Sequence, residues 1–299
     1  MIFGITGSAR SRDLRSVLPE LLETLERLGQ QAVLDHALAV RCWPEDLPED
    51  LELVDARELS AHCDLVISMG GDGSMLGAVR QMVVDRPVLG LHMGRLGYLT
   101  ALAPEELESG LKRVIAGRAI EQPRMMLQME IGPNLADASA GKVRVRRDAL
   151  NDIVIHSARP ARILRLRTRI DHVNVFGLEG DGLIHSTPTG SSAYSLSGGG
   201  PIMDPSMQAI ILTPSMAHSI SHRPMVIGAE SVIESWIGTP SSPLIVTVDG
   251  QETFRLKRSE HVRVRRSSRI CRLITLDEQG FLKTLRNKLK WNLEGDEPA

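Results

Sequence analysis

The sequence predicts a chain in three pieces: an α/β domain over residues 1–120, a β-rich domain over 121–275, and a closing helix within 276–299. Three observations carry this reading. Up to about residue 120, short apolar runs alternate with segments whose apolar residues recur every three or four positions. From Glu121 onward, single apolar residues alternate with charged ones, the period of half-buried strands. The helical period returns only at "GFLKTLRNKLKW".

The first strand is "MIFGIT". A helix follows over 13–28, where Leu14, Val17, Leu18, Leu21, Leu22, Leu25 and Leu28 form one stripe. The surface piece "RCWPEDLPED" is polar and broken by proline. Next come the strand "DLVIS", a glycine turn, a helix over 74–84, the strand "PVLGLHM", and a helix over 104–116 with proline in its first turn. Strands that alternate with helices imply a parallel sheet covered by those helices.

The second domain reads as "KVRVRR", "NDIVIHS", "RILRLRTRI", "LIVTV" and "HVRVRRSSRICRLITL". Its alternation puts Arg144, Arg146, Arg165, Arg167, Arg263 and Arg265 on outward faces of their strands. A nucleic-acid surface would want aromatic residues for base stacking. These make up only 3% of the chain, so no nucleic-acid partner is expected. In the closing helix, Phe281, Leu285 and Leu289 form a stripe that should dock on the core.

Composition narrows the setting. Formal net charge is −2, so any anion site must be local. No apolar run approaches the roughly 20 residues of a membrane span. The start of the chain lacks the pattern of a signal peptide. Cys42, Cys63 and Cys271 are odd in number and lack paired spacing, which fits a reducing cytoplasm and neither a disulfide framework nor a zinc knuckle. His218 and His222 stand four apart, but the intervening glutamate of a zinc motif is missing and Pro224 follows, so no metal ligands are assigned. His92, His156 and His185 read as core or edge residues.

Two segments carry chemistry. The first is "GGDGSMLG" between strand and helix. It lacks the lysine of a Walker A loop, which has no match in the chain. As a dinucleotide fingerprint it fails at its third position, which falls on Leu76 with Gly77 one step late. The loop N–H groups and the helix start can hold phosphate oxygens, yet Asp72 would repel them. A carboxylate belongs there if a hydroxyl must be oriented and relieved of its proton beside a phosphate. A divalent metal ion, magnesium by default, would offset the remaining charge. The second segment is "GDGLIHSTPTGSSAYSLSGGGP", residues 180–201. Its small hydroxylated residues let a polar ligand approach closely, and Tyr194 offers a face to a base.

The runs "GGDGSML", "LNDIVIH", "DGLIHSTPTGSSAYSLSGGGPI" and "VDGQ", in this order and spacing, resemble the NAD kinase family, above all its bacterial ATP-dependent members. The short GGDG motif is shared with diacylglycerol and sphingosine kinases, whereas the long Ser/Thr/Gly motif is specific. The resemblance implies the NAD kinase/diacylglycerol kinase-like fold, with the C-terminal helix packing back on the N-terminal domain. It implies transfer of the ATP γ-phosphoryl to the 2′-hydroxyl of the adenosine ribose of NAD, giving NADP. Asp72 takes the place of the catalytic aspartate, and Gly73 contacts ligand through its backbone. Asn151 and Asp152 match the paired Asn-Glu/Asp that binds the nucleotide. Asp181 and the run Ser192, Ala193, Tyr194, Ser195, Leu196 and Ser197 match the rest of the dinucleotide pocket. Arg162, Glu179 and Gln251 fall where relatives add contacts. A homodimer or homotetramer built through the β-rich domain is also implied. Two other readings compete. A lipid or small-alcohol kinase would want an apolar groove, and a non-catalytic NAD(P)-binding protein would have no use for Asp72.

Overall fold

In the first third of the chain, short apolar runs become parallel strands, the central ones buried on both faces. The structure, a computed structural model, describes residues 1–7, 14–45, 47, 50–94, 96–133, 142–159, 164–217, 219, 222–238, 243–277 and 280–291. It divides into two units, Met1–Pro123 with Cys271–Ala299, and Arg124–Ile270.

The first unit holds β1 (Ile2–Gly7), β2 (Gln31–Asp35), β3 (Glu52–Val54), β4 (Leu65–Met69) and β5 (Pro87–Leu91). They pair in parallel in the order β5-β4-β1-β2-β3. All five residues of β4 are buried, as expected for a strand covered by helices on both sides. The covering helices are α1 (Leu14–Arg27), α2 (His36–Cys42), α3 (Asp72–Gln81) and α4 (Leu107–Ile115). α1 buries Leu14, Val17, Leu18, Leu21 and Leu25 of the predicted stripe. β2 and α2 have no counterpart in the sequence reading. Asp35 joins them: one carboxylate oxygen caps the Ala37 N–H at 3.0 Å and the other accepts from Thr6 Oγ1 at 2.8 Å.

α3 corrects the expected 74–84 helix at both ends. It starts at Asp72, because Gly71 serves as N-cap and its carbonyl accepts the Ser74 and Met75 N–H groups. It stops at Gln81, because the Val83 and Val84 N–H groups are taken by Ser60 Oγ at 3.0 and 3.1 Å.

The second unit is built from β6 (Ile120–Pro133), β7 (Val145–Ala149), β8 (Asp152–Ser157), β9 (Leu164–Ile170), β10 (Val173–Gly180) and β11 (Gly182–Ser186). After these come the one-turn helix α5 (Tyr194–Ser197), β12 (Ala209–Ser215), β13 (Met225–Gly228), β14 (Ile233–Ile237), β15 (Leu244–Val248), β16 (Glu252–Leu256) and β17 (Glu260–Thr275). One sheet runs β13-β12-β11-β8-β15-β16, and the other orders β10-β9-β14-β17 with β6 and β7 beyond. Inward residues of both sheets, among them Leu127, Ile153, Leu166, Val246 and Val264, form one apolar core. The outward arginines meet carboxylates: Arg144 pairs with Glu260, Arg146 and Arg263 with Glu130, and Arg165 with Glu179.

Residues 272–274 of β17 pair in parallel with β5, and the helix α6 (Gly280–Leu289) follows in the first unit. α6 buries Leu285, and its Phe281 ring lies 6.2 Å from that of Tyr98. Cys42, Cys63 and Cys271 are buried, and none of the three is in a disulfide. Among the described residues, no helix is long and apolar enough to cross a membrane.

Candidate active site

Asp72 is the first residue of α3, where the helix dipole favours a negative charge. Its carboxylate reaches across to the segment after β5. Oδ2 accepts the Tyr98 N–H and Oδ1 the Leu99 N–H, both at 2.9 Å. Gly73, next in the helix, is exposed.

The second unit holds a pocket of about 400 Å3. Alternation along β8 turns Asp152, Val154 and His156 to the same side, and the neighbouring β15 adds Thr247. Asn151 lines the pocket from the turn before β8, Asp249 and Gly250 from the turn after β15, and Ala193 and Tyr194 from the start of α5. His156 therefore faces the pocket instead of belonging simply to a strand edge or core.

These turns are laced together. Asp249 accepts the N–H groups of Leu150 at 3.0 Å, Asn151 at 2.8 Å and Asp152 at 3.1 Å, and its own N–H donates to the Asp152 carbonyl. It sits in a tight β15–β16 turn closed by the Gln251 N–H on Val248, with positive φ at Asp249 and Gly250. From the other side, Thr187 donates its N–H to the Asn151 carbonyl and its hydroxyl to that of Leu150 at 2.6 Å. The Gly190 N–H closes the turn on Thr187 Oγ1. Small residues in "STPTG" thus bring backbone against backbone.

The electrostatics are uneven. Burial, and after it the Asp249 charge, pushes the Asp152 carboxyl up to about 7. His185 is fully buried, donates Nδ1–H to the Ile153 carbonyl, and is driven by desolvation down to about 4, so it is a neutral strand-to-strand tie.

Asn151, Asp152, Ala193 and Tyr194 thus meet at one pocket. Gln251 is exposed beside Gly250. Ser195 is buried, its hydroxyl 2.8 Å from Thr213 Oγ1. The Ser192 hydroxyl donates to the Thr189 carbonyl, Leu196 is half-buried, and Ser197 is exposed. Asp181 and Glu179 are exposed and are not lining residues of the pocket; Glu179 is ion-paired with Arg165 at 2.9 Å. Arg162 and His218 lie outside the described residues. Asp249 was missed as a site residue, although its Asp-Gly pair after "LIVTV" signals a hairpin turn.

A carboxylate held at a glycine turn suits an enzyme that moves a phosphoryl group from a nucleotide to a hydroxyl, which is the class of nucleotide phosphotransferases. Residues 22–119 match the model of the ATP-NAD kinase N-terminal domain, and residues 150–276 that of the ATP-NAD kinase C-terminal domain. The chain is 39% identical to the NAD kinase of Marinobacter nauticus, over 92% of this chain and 93% of that one. It is 34% identical to the NAD kinase of Cellvibrio japonicus, over 96% and 95%. Its fold is that of yeast NADH kinase crystallised with NADH, at a TM-score of 0.89 and 24% identity over 100% of this chain and 90% of that one. It is also that of an Archaeoglobus fulgidus NAD kinase crystallised with ATP, at a TM-score of 0.73 and 23% identity over 98% and 100%. This chain belongs to the NAD kinase family.

Proposed function

We propose that the chain transfers the γ-phosphoryl of ATP to the 2′-hydroxyl of the adenosine ribose of NAD, forming NADP and ADP. The observation that carries this is Asp72, a carboxylate fixed at a glycine turn where phosphate binding alone would exclude one. The ribose oxygen attacks the γ-phosphorus, its proton passes to the Asp72 carboxylate, and the bond from phosphorus to the departing ADP oxygen breaks. A carboxylate is a weak base, so orienting the hydroxyl is the larger part of its role. Backbone N–H groups at Gly73 and the start of α3 suit phosphate oxygens. The pocket of Asn151, Asp152, Ala193 and Tyr194 suits the dinucleotide, with Tyr194 against a base, Asn151 and Asp152 on its polar groups, and Ser195 supporting from behind. Asp181, Ser192, Leu196, Ser197, Gln251, Glu179 and Arg162 remain proposed contacts on the resemblance alone.

Among the described residues no group of three or more His, Cys, Asp or Glu converges as a metal cage. A divalent cation, magnesium by default, is proposed to enter with ATP as the metal–nucleotide substrate, where it would offset phosphate charge. Assembly as a homodimer or homotetramer follows from the resemblance and a cytoplasmic setting from the few cysteines without paired spacing, and sedimentation and fractionation test them.

The test of the reaction is NADP formation from ATP and NAD by wild type and Asp72→Asn. The variant should bind NAD and lose nearly all turnover. A fully active variant would overturn the role of Asp72, and a wild type active only on a lipid alcohol would overturn the substrate.

A further inference from the structure

The geometry points to the 97–99 turn as the positioning device for Asp72. Gly97 is the residue whose missing side chain admits the carboxylate, and Tyr98 is the joint through which α6 steadies the turn. This rests on the reading of Asp72 as the residue that receives the hydroxyl.

The Asp72 carboxylate is not spent on its own helix, whose N-cap is Gly71. It is held instead by two successive backbone amides, Tyr98 N–H on Oδ2 and Leu99 N–H on Oδ1, each at 2.9 Å. One bond to each oxygen fixes the plane of the carboxylate. It also leaves each oxygen a second lone pair with which to accept a substrate hydroxyl. Such a hold needs the turn to lie almost on the acid. A Cβ at Gly97 would stand 1.9 Å from Oδ1 and 2.6 Å from Cγ, so no side chain at 97 coexists with this rotamer of Asp72.

The turn cannot simply retreat. The Gly97 N–H donates to Thr100 Oγ1 at 2.9 Å, and Leu99 and Thr100 are buried. The Ala101 and Leu102 N–H groups both donate to the Gly90 carbonyl in β5, at 3.0 and 3.1 Å. A Cβ at Gly90 would meet the Thr100 Cα at 2.8 Å, so the strand backs directly onto the turn. On the outer side, the Tyr98 ring carries Lys288 Nζ 4.7 Å from its centroid, with the Phe281 ring beside it. Burial, and after it the Asp72 charge, raises the Tyr98 phenol and keeps it neutral. α6 thereby supports the backbone that holds the acid.

Gly97→Ala should lower kcat by about 100-fold or more, as expected for a reacting group displaced by about 1 Å, with the KM for NAD little changed. Because the same clash also strains the fold, the measurement is a cycle of four proteins: wild type, Gly97→Ala, Asp72→Ala and the double variant, each with kcat, KM and thermal midpoint. In the Asp72→Ala background the clash is absent, so Gly97→Ala should cost neither turnover nor midpoint there. Phe281→Ala and Lys288→Ala should each lower kcat several-fold at constant KM. Additive losses in the cycle, or an active Gly97→Ala beside an inactive Asp72→Ala, would overturn the positioning role alone. An active Asp72→Ala would overturn the reading of Asp72 itself, and this inference with it.

Discussion

Asp152 and Asp249 face one pocket, and each holds the other's backbone: Asp249 Oδ1 accepts the Asp152 N–H, and the Asp152 carbonyl accepts the Asp249 N–H. Two acids brought this close in a buried turn cannot both carry charge without cost. Burial and the neighbouring charge raise Asp152 to about 7, from an ordinary 3.8. Between those values the folded protein binds a proton that the unfolded chain has released. The stability this group contributes is complete below the lower value and is lost as pH rises through the upper one. Asp152→Asn is neutral throughout and removes that loss. From pH 5 to pH 8 the urea midpoint of wild type should fall relative to the variant, by the equivalent of a few kcal/mol. Parallel profiles for the two proteins would refute the raised Asp152 carboxyl.

Gly190 tests how tightly the turns behind this pocket are laced. A Cβ there would lie 2.1 Å from the Asn151 carbonyl oxygen, which already holds the Thr187 N–H at 2.9 Å. Gly190→Ala must push the 150–152 turn aside, costing about 1–3 kcal/mol of stability, and should weaken NAD binding. At Gly228 a Cβ meets open space, so Gly228→Ala should leave both within error. Calorimetric NAD titration and urea unfolding of the two variants decide it.

Tyr194 and Ser195 are adjacent yet should fail differently. Tyr194 is 50% exposed on the pocket, so Tyr194→Ala should raise the Kd for NAD by about 3- to 10-fold, the scale of one aromatic stacking contact, at unchanged stability. Ser195 is fully buried against Thr213, so Ser195→Ala should cost about 1–2 kcal/mol of stability with a smaller change in Kd. Equal effects on Kd would place the Ser195 hydroxyl on the ligand.

What the sequence made legible was short in range. β4, the glycine turn and α3 follow one another within 17 residues, and both the strand period and the helix period show there. Asp72 could be singled out because a carboxylate in that turn is chemically odd. The two amides that hold it stand 26 and 27 residues away, beyond any local pattern. Asp249 is 98 residues from the Asn151 amide it fixes; its Asp-Gly pair announces a turn but not what the turn faces. β2 and α2, at five and seven residues, are too short to show a period. The alternating arginines gave their strands correctly but not their partners, because cross-strand pairing depends on register.

Those partners supply the last prediction. Glu130 is 3% exposed and accepts from Arg146 at 2.7 Å, with Arg263 at 3.4 Å and Arg265 at 3.8 Å. Removing the acid leaves three guanidinium groups facing one another. Arg146 and Arg265 can turn to water, but Arg263 is only 26% exposed. Breaking a fully buried pair costs about 3–5 kcal/mol; with partners this exposed, Glu130→Ala should cost about half that. Glu230 pairs with Arg266 at a similar 2.7 Å, but the two are 83% and 43% exposed. Glu230→Ala should therefore change stability by less than about 1 kcal/mol. Urea unfolding at low and high salt separates the two cases. The Glu130 penalty should persist at high salt, where the Glu230 effect vanishes, because screening acts on exposed charges far more than on buried ones. If both penalties disappear together, the Glu130 cluster is a surface network and not a built part of the sheet.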